Sequence, residues 1–256
     1  MVFPEVIIDI IVGYAEEYTD NFLDFIDEKK LNTRYLCSNP NAIRWIKNNQ
    51  DKIDWEYLSE NPNAIELLNT NEDRISYYWL SNNKNAIDII QNNLYRINWN
   101  QLCKNPNAIH LLKKYPKRIS WLFLSINPNA IKLLKENFDE INWEKLSLNE
   151  NAIEILEENL DKVYWPHISK NKNAINIIKK NMNKISWPFL CQNENAIDII
   201  TDNIDKVDWV QLSKNANAIH LLKKNKDKIN YNYLSTNKNI FKTNYNELKS
   251  LLLELI

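Results

Sequence analysis

The sequence predicts an all-α protein, an α-solenoid of about ten 22-residue helix-turn-helix repeats with N- and C-terminal capping helices. Two observations carry this prediction. An Asn-Ala-Ile triplet recurs every 22 residues, and an aromatic landmark residue recurs at the same interval. Residues 31–250 therefore divide into ten units without insertion or deletion, which we number from unit 1 (31–52) to unit 10 (229–250). The alanines of the nine clear triplets are Ala42, Ala64, Ala86, Ala108, Ala130, Ala152, Ala174, Ala196 and Ala218.

The second helix of each unit is predicted to begin at the triplet. Asn39 supplies an N-cap acceptor, and Pro40 suits the first helical position because its missing N–H has no partner there. Asn41 is expected to form a ladder of side-chain hydrogen bonds to backbone groups of the neighbouring unit. Ala42 and Ile43 then start an apolar stripe on one helix face. Asn49 is expected to end the helix in the left-handed conformation, in place of the usual glycine.

The first helix of each unit is predicted to begin at the aromatic landmark. Asp54 precedes Trp55 as an N-cap, and Ile53 and Leu58 have the spacing of a hydrophobic staple. We expect the landmark aromatics to be core residues. The residues at the cap position are Asp54, Ser76, Asn98, Ser120, Asn142, Tyr164, Ser186, Asp208 and Asn230, of which Tyr164 alone is a poor cap.

A leucine-rich repeat has a similar period, but no L-x-x-L-x-L-x-x-N frame holds in this sequence. Stacked at helix-packing distances, ten helical units would make a rod or arc on the order of 90 Å long. The ends of such a rod need covers. Residues 1–30 are expected to form N-terminal capping helices, and residues 244–256 a C-terminal capping helix that overlaps the last repeat.

Composition argues against an enzyme, a cofactor or a metal site. Gly13 is the only glycine, which excludes a P-loop and a Rossmann fingerprint. Cys37, Cys103 and Cys191 replace serine at one repeat position, so they are expected to be buried and too far apart for a disulfide or a zinc site. His110 and His220 share an exposed, variable position. No catalytic triad or metal motif can be assembled from these residues.

The location predicted from the sequence is intracellular. No apolar run is long enough to span a membrane. The N-terminus lacks the basic region of a signal peptide. The net charge of −1 gives no reason to expect binding to nucleic acid or to a membrane surface.

One variable series is a candidate partner-binding surface. It precedes the staple leucine and is rich in aromatic residues, as protein interfaces are. Additional packing between neighbouring units explains the same series equally well. A second series, of lysines at the end of the second helix, is expected to be a solvated face. The first series is Tyr57, Trp79, Gln101, Phe123, Lys145, His167, Phe189, Gln211 and Tyr233.

The repeat unit resembles the Asn-Pro-Asn-Ala-Ile repeat proteins of giant, mimivirus-like viruses. Residues 121–137, WLFLSINPNAIKLLKEN, show the motif most fully, and the resemblance covers residues 31–240. It implies a viral protein in the cytoplasm of an infected host cell, in the virus factory or in the virion. It implies no specific activity.

The N-terminus has a weaker resemblance to the opening of an F-box, a segment that docks on a ubiquitin-ligase adaptor. Phe replaces the usual Leu, Glu follows Pro directly, and the basic-aromatic end of an F-box is not evident before Leu31. A plain pair of capping helices is the competing interpretation. The residues that would contact the ligase adaptor are Phe3, Pro4, Ile7, Ile8 and Ile11.

These observations predict a non-enzymatic helical-repeat scaffold that binds a host or viral protein. The candidate contact residues are Tyr57, Trp79, Phe123, His167, Phe189 and Tyr233. An F-box-like substrate adaptor for a host ubiquitin ligase is the alternative. A structural component of the virion is a further one.

Overall fold

Units 1 to 9 each fold as two short α-helices joined by a turn, which in several units is a 3-10 helix, and this confirms the all-α repeat solenoid. The structure, a computed structural model, describes residues 18–243, apart from the side chains of residues 18–20 and 243. The first helices are Thr33–Ser38, Trp55–Glu60, Tyr77–Leu80, Trp99–Lys104, Trp121–Leu124, Trp143–Leu146, Trp165–Lys170, Trp187–Leu190, Trp209–Leu212 and Tyr231–Leu234. The second helices are Ile43–Asn48, Ile65–Asn69, Ile87–Asn92, Ile109–Lys114, Ile131–Glu136, Ile153–Glu158, Ile175–Lys180, Ile197–Thr201 and Ile219–Lys224.

The core is continuous from unit to unit because a single unit cannot bury its own apolar residues. In unit 2, Leu58 of the first helix and Leu68 of the second are fully buried, and Ala64 lies between them. Equivalent residues of the other units join them in one hydrophobic cluster. Stability therefore comes mainly from the contacts between neighbouring units.

The first-helix caps depend on the residue type. The Asp54 carboxylate accepts from the N–H groups of Glu56 and Tyr57, and Asn98 and Asn142 cap their helices in the same way. Ser76, Ser120 and Ser186 make no side-chain cap, contrary to the sequence prediction. The length of the helix does not follow the cap, since the helix after Asn142 has four residues and the uncapped helix after Tyr164 has six.

The predicted left-handed asparagine at the end of the second helix is wrong. Asn49 has φ −130° and ψ 50°, and none of the described residues has a positive φ. Its side chain instead folds back, and Nδ2 donates to the carbonyl of Trp45 at 2.9 Å. The amide thus satisfies one of the free carbonyls at the helix end without the strained backbone.

A buried asparagine ladder joins each unit to the one before it. Asn61 Nδ2 donates to the carbonyls of Cys37 and Asn39, both at 2.9 Å, and its Oδ1 accepts from the N–H of Asn63. Asn63 Nδ2 donates in turn to the carbonyl of Pro40. The sequence predicted a cap for the first asparagine and a ladder for the second. The first asparagine performs both tasks and is fully buried.

A second inter-unit bond explains the position shared by serine and cysteine. Ser125 Oγ donates to the carbonyl of Trp121 and accepts from the backbone N–H of Asn142 in the next unit. Where Cys103 takes this position, its Sγ accepts from the N–H of Ser120 at 3.3 Å. The position therefore requires an acceptor as well as a small side chain, which the sequence prediction did not include.

The array of units closes on itself to form a ring. Asn39 Nδ2 donates to the carbonyls of Ser235 and Asn237, which are the unit 10 counterparts of the partners that Asn61 finds in unit 1. Asn41 Nδ2 reaches the carbonyl of Lys238 in the same register. The N–H of Asn32 donates to Ser235 Oγ. Unit 10 thus precedes unit 1 as any unit precedes the next.

The outer layer of this seam is a pair of strands instead of a second helix. After the 3-10 turn Lys238–Ile240, strand β2 (Phe241–Thr243) pairs antiparallel with β1 (Tyr18–Phe22). The rings of Phe22 and Phe241 are 4.7 Å apart. The N–H of Leu23 donates to the carbonyl of Ile240.

The predicted rod or arc with two separate, covered ends is therefore wrong, because each unit adds one tenth of a full turn and the tenth unit meets the first. Residues 18–22, within the segment expected to form capping helices, are a strand. Residues 1–17 and the expected C-terminal capping helix, 244–256, lie outside the described residues. None of the helices described is long and apolar enough to span a membrane.

Candidate protein-binding surface

The inner wall of the ring is formed by the residues on either side of each buried asparagine. The backbone is extended at Asn39, so neighbouring side chains point to opposite sides. Asn39 points into the wall, and Ser38 and Pro40 therefore face the ring centre. A cavity of about 590 Å³ confirms this placement, since its lining comes from five consecutive units, 10 and 1 to 4. Only a concave surface brings five units around one cavity.

This inner wall was not recognised in the sequence, although its position in the repeat is regular. The residues before the asparagines are Ser38, Glu60, Asn82, Lys104, Ile126, Leu148, Lys170, Gln192, Lys214 and Thr236. The residues after them are Pro40, Pro62, Lys84, Pro106, Pro128, Glu150, Lys172, Glu194, Ala216 and Lys238. Together they carry six lysines and three glutamates.

The predicted aromatic series lies next to the inner wall, and we call it the aromatic ridge. Tyr57, Trp79, Phe123, His167, Phe189 and Tyr233 are all half-buried. They pack against neighbouring units and also expose part of their surface, so the two alternatives drawn from the sequence do not exclude each other. Gln101 is the one buried member of the series, where its Nε2 donates to the hydroxyl of Tyr78.

Most ring contacts along the aromatic ridge join two rings or a ring and a cation, and His167 Nδ1 also lies 2.8 Å from the carbonyl of Glu144. The rings of Tyr57 and Trp79 stack with centroids 6.0 Å apart, and those of His167 and Phe189 meet edge to face at 5.7 Å. Lysines of the inner wall lie over the other two rings. Lys104 Nζ is 5.3 Å from the Phe123 centroid, and Lys214 Nζ is 4.0 Å from that of Tyr233.

Ring closure makes one arc of the aromatic ridge continuous across the seam. Tyr35, which the sequence analysis did not include, lies in unit 1, and its ring centroid is 5.5 Å from that of Tyr57. Tyr233 of unit 10 and Tyr35 of unit 1 belong to neighbouring units. Four consecutive units, 10 and 1 to 3, therefore carry an aromatic residue at this position. The same units line most of the cavity.

Exposed apolar side chains extend the aromatic ridge outward. Tyr78, Leu122 and Val210 occupy the repeat position immediately before the ridge residue, and they are 47%, 42% and 41% exposed. Tyr78 and Leu122 precede ridge aromatics in units 3 and 5, and Val210 precedes Gln211 in unit 9. Exposed large apolar side chains beside half-buried aromatics are characteristic of protein-binding surfaces. Sequence reasoning missed them because polar residues fill the same position in other units.

The landmark aromatics form a separate layer that is covered by cations. Trp55 is half-buried, and the guanidinium of Arg74 lies 5.2 Å from its centroid. Lys228 lies over Trp209 at the same spacing along the chain as Arg74 over Trp55. Lys30 lies over Tyr231 across the seam, which is the equivalent position when unit 1 is taken to follow unit 10. Tyr77 is buried and the other landmark aromatics are half-buried against the core, so the predicted core position holds with one partly open face in most units. Within the described part of the chain, a cation lies over each of them except Trp121.

The other candidate residues add no chemistry to the aromatic ridge. Cys37, Cys103 and Cys191 are buried thiols without a disulfide, and burial raises the pKa of Cys191 to about 11. His110 and His220 are exposed, as expected. No three His, Cys, Asp or Glu side chains converge on a metal position within residues 18–243.

The residues expected to contact a ligase adaptor, Phe3, Pro4, Ile7, Ile8 and Ile11, lie outside the described residues. The adaptor hypothesis therefore stays a prediction. The exposed lysines of the second helices, such as Lys113 and Lys179, form the solvated face that the sequence predicted.

The chain matches no protein-family model, no curated protein and no solved structure.

Proposed function

We propose that the protein is a ring-shaped, non-enzymatic scaffold that binds a protein partner on the aromatic ridge. The observation that carries the proposal is a ridge of half-buried aromatics along which Tyr78, Leu122 and Val210 expose apolar side chains in units 3, 5 and 9. The resemblance to giant-virus repeat proteins suggests the setting, the cytoplasm of an infected amoebal cell.

The chemistry of the aromatic ridge supports a protein partner. Aromatic side chains provide most of the energy in many protein interfaces because they bury a large area at a low cost in conformational entropy. The ring holds these residues rigidly, since each one packs on its neighbouring unit. Little further ordering is then required on binding.

Site-specific photo-crosslinking tests the proposal. A photoreactive phenylalanine analogue replaces Tyr78 on the aromatic ridge or, as a control, Tyr95, which is 85% exposed in the connection after a second helix. After irradiation in amoebal cells, the crosslinked proteins are identified by mass spectrometry. A partner of the aromatic ridge should be captured from position 78 and not from position 95.

Substitutions of exposed residues then show whether the capture depends on the aromatic ridge. The double substitution Leu122→Asp and Val210→Asp should abolish the crosslink at position 78, because it introduces carboxylates into the contact surface. Leu160→Asp with Ile204→Asp is the matched control, since these residues are 41% and 46% exposed at a different repeat position. Capture that survives the first pair, or is lost equally with the second, contradicts the proposal.

A further inference from the structure

We infer that the inner wall binds an acidic peptide segment of the protein partner. This inference rests on the proposed function, because it assigns a chemical class to the partner of the same ring. Charge is distributed unevenly between the inner wall and the rest of the molecule.

The inner wall is positive within a nearly neutral protein. Its six lysines and three glutamates give +3, whereas the whole chain has a net charge of −1. The remainder of the chain therefore carries −4. A concave surface of one sign concentrates the field at its centre and attracts a segment of opposite charge.

Five of the six lysines have no carboxylate partner among the described residues. Lys172 pairs with Glu150 at 2.7 Å, and the carboxylate of Glu60 accepts from the amide of Asn82. The unpaired lysines are Lys84, Lys104, Lys170, Lys214 and Lys238. They are distributed over units 3, 4, 7, 9 and 10, so their charge extends along most of the wall.

Three of these lysines have surroundings that disfavour an isolated charge. Burial lowers the pKa of Lys214 and of Lys104, and at Lys104 the attraction of Glu60 opposes this shift in part while repulsion by Lys145 adds to it. Burial also lowers the pKa of Lys170, with a smaller contribution from repulsion by Lys214. A bound carboxylate would offset this loss of hydration. At Lys104 and Lys214 such a carboxylate would lie beside the aromatic ridge, because these lysines cover Phe123 and Tyr233.

The arrangement fits an extended peptide better than a polyphosphate chain or a small phosphate. Glu60, Glu150 and Glu194 interrupt the lysines, and a continuous phosphate backbone would meet these carboxylates. A peptide can instead place carboxylates opposite lysines and apolar side chains on the aromatic ridge. A small anion would need lysines converging on one point, whereas these lysines are spread around the ring.

Fluorescence anisotropy with the full chain tests the inference. The probe is a fluorescein-labelled peptide that alternates Glu and Ser, and the matched peptide has Gln in place of Glu. Wild-type protein should bind the Glu peptide at least about tenfold more tightly than the Gln peptide. The Lys104→Gln, Lys170→Gln, Lys214→Gln variant should lose at least about tenfold in affinity for the Glu peptide.

The control variant removes the same charge from the second helices. Lys132→Gln, Lys180→Gln, Lys224→Gln changes three exposed lysines away from the inner wall and should leave the affinity for the Glu peptide within about twofold of wild type. Equal losses in the two triple variants would overturn the inference, since they would indicate attraction to overall charge. Tighter binding of oligo-dT or of inorganic triphosphate than of the Glu peptide would also overturn it.

A second inner-wall variant keeps the test decisive if the variant with Lys104, Lys170 and Lys214 replaced does not fold. Lys84→Gln with Lys238→Gln changes two exposed residues that line the cavity, and it should weaken binding of the Glu peptide by at least about threefold. Unchanged affinity in this variant would overturn the inference. This test is independent of the crosslinking experiment. If a partner is captured at position 78 but the lysine substitutions do not weaken binding of the Glu peptide, the aromatic ridge remains a protein-binding surface and only the acidic-peptide inference fails.

Discussion

The seam between units 10 and 1 and the junction between units 5 and 6 share an inner layer and differ in the outer one. At the interior junction, Asn149 Nδ2 donates to the carbonyls of Ser125 and Asn127 at 3.0 and 2.8 Å. At the seam, Asn39 makes the equivalent bonds at 3.1 and 2.9 Å. The two inner layers therefore have the same hydrogen bonds.

The outer layers are built from different elements. Two second helices, Ile131–Glu136 and Ile153–Glu158, face each other at the interior junction, where Lys135 pairs with Glu154 at 2.6 Å. At the seam, strands β1 and β2 take the place of the second helix of unit 10. The comparison shows that the asparagine ladder defines the ring, whereas the outer layer can be replaced by any element that covers the core.

The largest effect should come from removing β1 at the seam. A chain of residues 31–256 lacks β1, Leu23 and Ile26, whereas a chain of residues 18–256 retains them. Loss of these apolar contacts should lower the free energy of unfolding by about 5 kcal/mol relative to the longer chain. Differential scanning calorimetry measures the stability, and small-angle X-ray scattering should give a larger radius of gyration for residues 31–256. Equal stability and equal radius in the two chains would mean that the ring does not need the strand pair.

The next largest effect should come from one rung of the ladder. Asn149→Ala removes the side-chain donor to the buried carbonyls of Ser125 and Asn127, of which the second keeps the N–H of Ala130, and it removes the acceptor of the Asn151 N–H. We expect a loss of about 3 kcal/mol in the free energy of unfolding by urea. The exposed Asn151→Ala removes the neighbouring bond to the carbonyl of Pro128 and should cost about 1 kcal/mol or less.

The same substitution at the seam sharpens the comparison. Asn39→Ala removes the same set of bonds, so its cost should equal that of Asn149→Ala within about 1 kcal/mol. A much smaller cost at Asn39 would indicate that the ring is open in solution.

The sequence predicted the elements of the unit well because each has a local cause. An Asn-Pro pair such as Asn39-Pro40 begins a turn in each unit that contains it, and Asp54 caps the helix that follows it. The asparagine ladder was also predictable, since a buried amide that recurs in every unit must find partners in the next one. These inferences required only neighbouring residues and the period.

Closure of the ring was not predicted because the rotation per unit depends on packing that the period does not reveal. One signal was present in the sequence. Asn39 and Ser235 match the consensus fully, whereas an open solenoid usually changes the interface residues of its terminal units. The inner wall was missed for the same reason, since Lys84 and Lys238 become neighbours of one cavity only when the ends meet.

A smaller effect should distinguish hydrogen bonding from size at the serine position. Ser125→Ala removes the acceptor of the Asn142 N–H and should cost about 1 to 2 kcal/mol in urea unfolding. Ser125→Cys keeps an acceptor, as Cys37 and Cys103 do in their own units, and should cost less than Ser125→Ala. If the two variants lose equal stability, the bond to the next unit does not explain this position.

The smallest effect should be a gain at the one landmark tryptophan that lacks a cation among the described units. In unit 4, Arg118 lies over Trp99, and in unit 7, Lys184 lies over Trp165, both with an offset of 19 residues. The same offset from Trp121 leads to Glu140, whose carboxylate is repelled by the face of an indole. Glu140→Lys should therefore raise the free energy of unfolding by about 0.5 kcal/mol, measured as a small increase in Tm. Glu136→Lys makes the same change of charge at another exposed position of unit 5, so an equal increase there would assign the gain to net charge and not to the indole.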